Sequence, residues 1–330
     1  MNKLSFSSVN LYNQCSYCYY LKYIEKIYPK RIKSSLLFGT AIDKALNHLL
    51  LEKNLEAAKQ VFIDNWTTGK INYKPVQLEG SDLIIYSKSD LDLEFLKHST
   101  KTKPKDLNWS SLYFKGLLFI KAYYEKVLPR IKNVISIQES ISIKNHEGDQ
   151  IAGNMDIIVE WEDGKRYLLD NKTTTYKYEA KDAQESPQLN LYDYIIHDKY
   201  KLDGIGFIVL NKKINKNKVK KCKSCEAINN SSHKTCNQEL PIIGPLKRCN
   251  GEFEITINPS VDIDFIFDKI DPNIQNKVIE NFDETNNKIA NKEFNMEHNP
   301  IRGKYGFCDY KEYYEGNEEF IRMAKKESKD

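Results

Sequence analysis

The sequence predicts an α/β protein with a mixed central sheet, and three observations carry that expectation. Residues 133–144, 151–162 and 165–173 ("NVISIQESISIK", "IAGNMDIIVEWE", "KRYLLDNKT") are β-rich runs in close succession. "EDGK" joins the last two, and its Asp163-Gly164 pair is a strong hairpin signal. A helical stretch then leads to "GIGFIVLNK", a further buried strand, so helices and strands alternate around one core.

The remaining elements follow in order. "SFSSVNLYNQCSYCYYLKYIEKI" opens with serines suited to a helix N-cap and continues as a tyrosine-rich helical pattern. Most of those rings read as core, with their hydroxyls at its edge. "LLFGTAIDKALNHLLLEK", residues 36–53, has apolar residues at three- and four-residue intervals after Gly39. Residues 66–110 are polar and irregular and are expected to form a mobile lobe or insertion. "SSLYFKGLLFIKAYYEKVLPRI" is a helix that stops near Pro129. "EAKDAQESPQLNLYDYIIHDKY" is helical from Pro187 onward, with proline in the first turn. Residues 212–256 break the rhythm and read as an inserted module, leaving 1–211 and 257–330 as the main domain. The tail, 261–330, is expected to be mainly helical.

The chain has 330 residues, enough for one large domain, with 40% hydrophobic and 29% charged residues. A net charge of +4 is compatible with a polyanionic partner without demanding one. No apolar run is long enough to cross a bilayer, and "MNKLSFSSVN" lacks the apolar centre of a signal peptide. A soluble, cytoplasmic protein is expected. Four of the seven cysteines fall between 222 and 249, a clustering that in a reducing compartment points to metal rather than disulfides.

Chemistry concentrates at four places: Asp43 on the second helix, Asp156 in "GNMDIIVE", Asp170 and Lys172 in "DNK", and Gln188 and Tyr192 in "QLNLY". The hairpin brings Asp156, expected near the start of its strand, beside Asp170, near the end of the next. Two converging carboxylates are hard ligands for Mg²⁺ or Mn²⁺, and Asp43 is a third candidate. Lys172 shares a face with Asp170, where it can hold the attacking water or the scissile phosphate. Gln188 and Tyr192, four apart on a helix, can grip a strand end or a phosphate. Read alone, Asp170 and Lys172 are equally a surface ion pair. Glu139 either reaches the metal or faces solvent.

The motifs G-x-x-D (153–156), D-x-K (170–172) and Q-x-x-x-Y (188–192), in this order, resemble the PD-(D/E)XK nuclease superfamily. The opening "SFSSVNLYNQCSYCYYLKYIEK" and "FGTAIDKAL" are similar to the start of its RecB-like exonuclease branch, which includes CRISPR-associated members. The resemblance implies a restriction-endonuclease-like mixed sheet flanked by helices. It also implies a metal-dependent DNA exonuclease of recombination, repair or viral DNA metabolism, acting on DNA with a free end or a single strand. Many relatives carry histidine where this chain has Asp43. Relatives with an iron–sulfur clasp use one cysteine near the amino terminus and a C-x-x-C-x₅-C run near the carboxyl end. Here Cys15 and Cys308 occupy two of those places and Tyr305 and Tyr314 the others, and two thiolates cannot hold such a cluster. A lost clasp, replaced by aromatic packing, is expected.

Cys222, Cys225, Cys236 and Cys249 suit tetrahedral Zn²⁺ in a structural ribbon, with His233 an alternative to Cys236. Four sulfur ligands leave zinc no open position, and there is no H-E-x-x-H, so a zinc hydrolase is a poor reading. Two rivals to cutting stand beside it. One is a non-cleaving DNA-binding subunit. The other is an assembly subunit whose ribbon recruits a helicase, recombinase or other repair protein.

Overall fold

The computed structural model describes residues 3–27, 34–67, 73–77, 84–88, 109–144, 150–229, 235, 236, 238, 248–295 and 310. Strand β1 (Lys3–Ser5) leads into helix α1 (Phe6–Gln14), where Ser5 and Ser8 form a reciprocal capping box. The expected long tyrosine helix breaks at Cys15. Its sulfur caps α2 (Ser16–Tyr19), which runs on into a π-turn at Tyr20–Ile24. Of the stretch's rings, Tyr12 and Tyr19 are buried, whereas Tyr17, Tyr20 and Tyr23 are half-buried, so fewer of them are core than expected.

Helices α3 (Ser34–Glu52), α4 (Leu55–Thr67) and α5 (Trp109–Lys126) form one layer. Their aromatic centre, Phe38, Phe62, Trp66 and Phe119, is 0% exposed and packs on the sheet through Ile157, Val159, Leu169, Ile208 and Leu210. Of the polar 66–110 stretch, β2 (Tyr73–Gln77) and β3 (Ile84–Lys88) pair antiparallel as a separate two-stranded sheet.

The main sheet follows: β4 (Ile131–Lys144), β5 (Gln150–Trp161) and β6 (Arg166–Thr174). After a short α6 (Ala180–Gln184) come α7 (Pro187–Ile196) and β7 (Gly204–Cys222). Strands β8 (Ile228–Asn229) and β9 (Phe253–Asp268) and helix α8 (Pro272–Ala290) complete the chain's described elements. Pairings β1–β5 and β6–β7 are parallel and the others antiparallel, so the sheet is mixed as expected. Its second face is covered by α1, α7 and α8, through Leu4, Ile158, Leu168, Leu189, Phe282 and Ile289.

Residues 261–268 are not part of a helical tail. They finish the 16-residue β9, which runs antiparallel to β7 along nearly its whole length. "NPS" inside "FEITINPSVDIDFIFD" reads as a turn, yet Pro259 is tolerated because β9 is an edge strand whose missing N–H faces away from β7. The boundaries at 211/212 and 256/257 therefore both fall within continuous strands. Between them, β7 and β9 extend from the sheet as a ribbon that is two-stranded as far as Val219, gains β8 beside Lys220 and Lys221, and ends at the cysteines. Among the described residues no helix is long and apolar enough to cross a membrane.

Candidate active site and cysteine cluster

Strand β5 is where the sheet opens. On one side it pairs with β4 along its length; on the other it pairs first with β1 (Gln150–Ala152) and then with β6 (Ile157–Glu160). Between those partners, at Gly153–Asp156, the second edge has no strand beside it among the described residues. Ile157 pairs with Leu169, so the next position brings Asp156 opposite Asp170. Asp156 lies in the middle of β5 rather than near its start, because β5 runs back past the hairpin to reach β1.

Both β4 and β5 reverse their facing at this point. Ile137 and Ile157 pack in the helical layer's core, whereas Ile141 and Met155 pack in the opposite core. Strict alternation would put each pair on one face. The reversal coincides with Gln138, a non-glycine residue at φ +49°. Its amide donates to Asp156 Oδ1 at 3.4 Å. No sequence signal announces this kink.

Around the opening the side chains converge. Asn171 N–H donates to Asp156 Oδ2 at 3.2 Å. Lys172 Nζ lies 2.5 Å from Asp170 Oδ2. Gln188 bridges the two, its Nε2 donating to Asp170 Oδ1 and its Oε1 accepting from Lys172 Nζ, both at 3.3 Å. Asp170 and Lys172 are thus more than a surface pair, since Asp170 is 6% exposed. Tyr192 packs over Gly153, where an added Cβ would sit 2.5 Å from the ring. The tyrosine of Q-x-x-x-Y therefore requires the glycine of G-x-x-D.

Asp43 approaches from the helical layer. Burial first, then the nearby Asp170 charge, push its carboxyl up to about 7, with Lys172 opposing. Burial likewise raises Asp156, to about 8, reinforced by Asp170 and Asp43. For Lys172 burial acts to lower the ammonium, but Asp170 and Asp156 together outweigh it and raise it. Three acids gathered on one ammonium form an unbalanced set, and carboxylate oxygens are the donors a hard divalent cation takes, although among the described residues only the four cysteines already stand close enough to share one ion. Asp43, Asp156 and Asp170 are the residues that would hold it.

Two neighbours escaped the sequence reading. Tyr123 of α5 is wholly buried, and burial and then the Asp156 charge hold its phenol far above the ordinary range. Asn171, hidden inside D-x-K, is 9% exposed and fixes Asp156 through its N–H. Beside the carboxylates runs a cleft of about 500 Å³, lined by Ser5, Ser140, Ser142, Asn154, Gln188 and Tyr192.

Glu139 is turned away from this opening. It pairs with Met155 and accepts from Tyr200 and Ser136 at 2.7 Å and from Lys199 at 2.5 Å. Burial opposes ionisation, but these donors bring its carboxyl down to about 2. It fastens β4 to the segment after α7. A lowered folded pKa stabilises above the unfolded value near 4.5 and is lost as pH falls towards 2. Glu139→Gln is expected to lower Tm at pH 7 by a few degrees, the gap closing between pH 4.5 and 2 in thermal melts.

A separate cluster sits at the ribbon's end. The Sγ atoms of Cys222, Cys225, Cys236 and Cys249 all lie within 4.8 Å of one another, with two pairs at 3.6 Å. Four sulfurs about 2.3 Å from one ion stand about 3.8 Å apart, so the spacing fits Zn²⁺. Ser224 and Gly251 donate their N–H groups to Cys222 and Cys249 Sγ at 3.4 Å. A Cβ at Gly251 would meet Cys222 Sγ at 2.6 Å. His233 lies outside the described residues, and Cys236 completes the set without it. One zinc per chain is expected. Cys236→Ser should release it, expose residues 222–252 to protease and leave the core's Tm within a few degrees, by zinc assay, limited proteolysis and calorimetry. Of the iron–sulfur positions, Cys308, Tyr305 and Tyr314 lie outside the described residues, and Cys15 packs with Cys18, Leu21, Ile27 and Tyr310.

Comparison with known families agrees with this fold. A family model of the PD-(D/E)XK nuclease superfamily matches residues 3–313. No curated protein matches the chain.

Proposed function

Because the chain belongs to the PD-(D/E)XK nuclease superfamily, with its restriction-endonuclease-like mixed sheet, we propose that it is a Mg²⁺- or Mn²⁺-dependent DNA exonuclease. Its setting would be recombination, repair or viral DNA metabolism, as in the RecB-like branch. The observation that carries this reading is the meeting of Asp43, Asp156, Asp170 and Lys172 where β5 parts from β6.

Asp43, Asp156 and Asp170 would hold a divalent cation, which would supply an activated water and charge compensation for the phosphoryl centre. The chain's own residues do the rest. Asp170 and Gln188 hold the Lys172 ammonium at the mouth of the opening, where it stabilises charge growing on phosphate oxygens. Asn171 N–H and the Gln138 amide fix the Asp156 carboxylate. Tyr192 forms one wall of the cleft, whose hydroxyl and amide lining suits the sugar and bases of a strand end.

The test is digestion of 5′- and 3′-labelled single and double strands with Mg²⁺ and Mn²⁺ in parallel. Short products released progressively from one end are expected, with closed circular DNA left intact. Equal cutting of circles would make the enzyme an endonuclease. Binding without any cutting would replace the proposal with a non-cleaving subunit.

A further inference from the structure

The ribbon formed by β7 and β9 segregates its charges. Directly opposed residues of an antiparallel pair share a face, and alternate residues share it along each strand. Lys216 opposes Pro259, Lys218 opposes Ile257 and Lys220 opposes Ile255. One face thus carries three lysines, and between 214 and 222 and between 253 and 261 it carries no acid. The strand's next lysine, Lys221, falls on the other face. There it opposes Glu254 and pairs with Glu226 at 3.5 Å. Asn215 and Asn217 complete that other face, bonding across the ribbon to Asp262 and Ser260.

Lysines two apart on a strand stand about 6.8 Å from each other. Like charges in such a row repel unless a polyanion lies along them. Lys216 and Lys218 are exposed and have no acidic partner among the described residues. Opposite Lys220, Ile255 is 76% exposed and adds an apolar contact to the same face. Lysines flanking an apolar side chain on a ribbon that is two strands wide at Lys216 and Lys218 suit a nucleic-acid groove, where phosphates meet the ammoniums and the apolar residue meets sugar or base.

We propose that this face, Lys216, Lys218 and Lys220 with Ile255, binds the sugar–phosphate backbone of the nucleic-acid substrate away from the cleavage site. The proposal rests on the reading of the chain as a nuclease. It assigns to the ribbon a holding role that the opening at Asp170 does not perform.

The test compares the zinc-loaded wild type with a Lys216→Gln/Lys218→Gln/Lys220→Gln variant, binding labelled 40-mer duplex and single strand without added Mg²⁺ or Mn²⁺. Three phosphate contacts contribute about 2.7 to the slope of log affinity against log salt for duplex. Between 50 and 200 mM salt the wild type should therefore lose about 40-fold more duplex affinity than the variant. A larger change on duplex than on single strand assigns the face to duplex, and the reverse to single strand. Hydrolysis of bis(4-nitrophenyl) phosphate, too small to reach the ribbon, should be unchanged. A charge-matched control, Lys53→Gln/Lys121→Gln/Lys292→Gln, should keep the wild-type slope. An unchanged slope in the ribbon variant, or an equal change in the control, overturns the proposal. If the wild type fails to hydrolyse the small diester, the active-site reading falls, while the salt slopes still judge the ribbon.

Discussion

Asp170→Asn is expected to lower phosphodiester hydrolysis by about 10³-fold or more, and Lys172→Ala by about 10²–10³-fold. Asp170 is the hub of the opening: Lys172 reaches it at 2.5 Å, Gln188 at 3.3 Å, and its charge presses on both Asp156 and Asp43. Replacing one of its oxygens with an amide removes a ligand charge and frees the ammonium it anchors. Lys172→Ala removes the charge that meets the phosphate but leaves the three carboxylates, so it should spare metal affinity. Gln188→Ala should cost about 10–100-fold, the usual range for residues that orient a metal's ligands, and should raise the metal concentration needed for half-maximal rate. The readout is initial rate on bis(4-nitrophenyl) phosphate and on end-labelled DNA across a Mn²⁺ titration, with circular dichroism to confirm folding. A Lys172→Ala enzyme keeping a tenth of wild-type activity would remove the ammonium from the mechanism.

The parts of this site legible in sequence are those set by short-range geometry. Asp163-Gly164 closes a tight hairpin, so counting back from it puts Asp156 opposite Asp170 without knowledge of the rest of the fold. Alternation puts Lys172 beside Asp170, and helical spacing stacks Gln188 and Tyr192. What was not legible depends on contacts between distant segments. Gln138 is an ordinary residue whose left-handed backbone sits between two residues paired with β5, Ile137 and Glu139, and nothing around it in the sequence favours φ above zero. Glu139, one position on, was the more visible candidate because it is acidic, yet the kink turns it to Lys199 and Tyr200 instead. Gln188 reads as a substrate contact, whereas the structure shows it spanning Asp170 and Lys172. β9 was hidden by Asn-Pro-Ser, a local turn signal overridden by fifteen residues of pairing with β7.

The carboxylates also make the protein's stability depend on pH in a direction opposite to that of Glu139. Without a divalent cation, Asp156 and Asp43 hold protons up to about 8 and about 7, against 3.8 for an ordinary aspartate. A folded state that binds more protons than the unfolded chain loses stability as pH rises. The loss begins near the unfolded value, about 4, and is complete only above about 8. A bound cation takes the place of those protons. Added Mn²⁺ or Mg²⁺, at one concentration near 100 times the dissociation constant at pH 8.5, should therefore raise Tm little at pH 5.5 and by roughly 5 °C at pH 8.5. Binding at pH 7 should release protons, measurable by calorimetry in buffers of different ionisation enthalpy. Asp156→Asn removes one of the crowded charges. It should raise the metal-free Tm at pH 8.5 by about 2–6 °C while abolishing most of the increment from metal, the trade expected where a site is strained for binding. A metal increment that is the same at both pH values, or that survives in Asp156→Asn, would mean the cation is held by other groups.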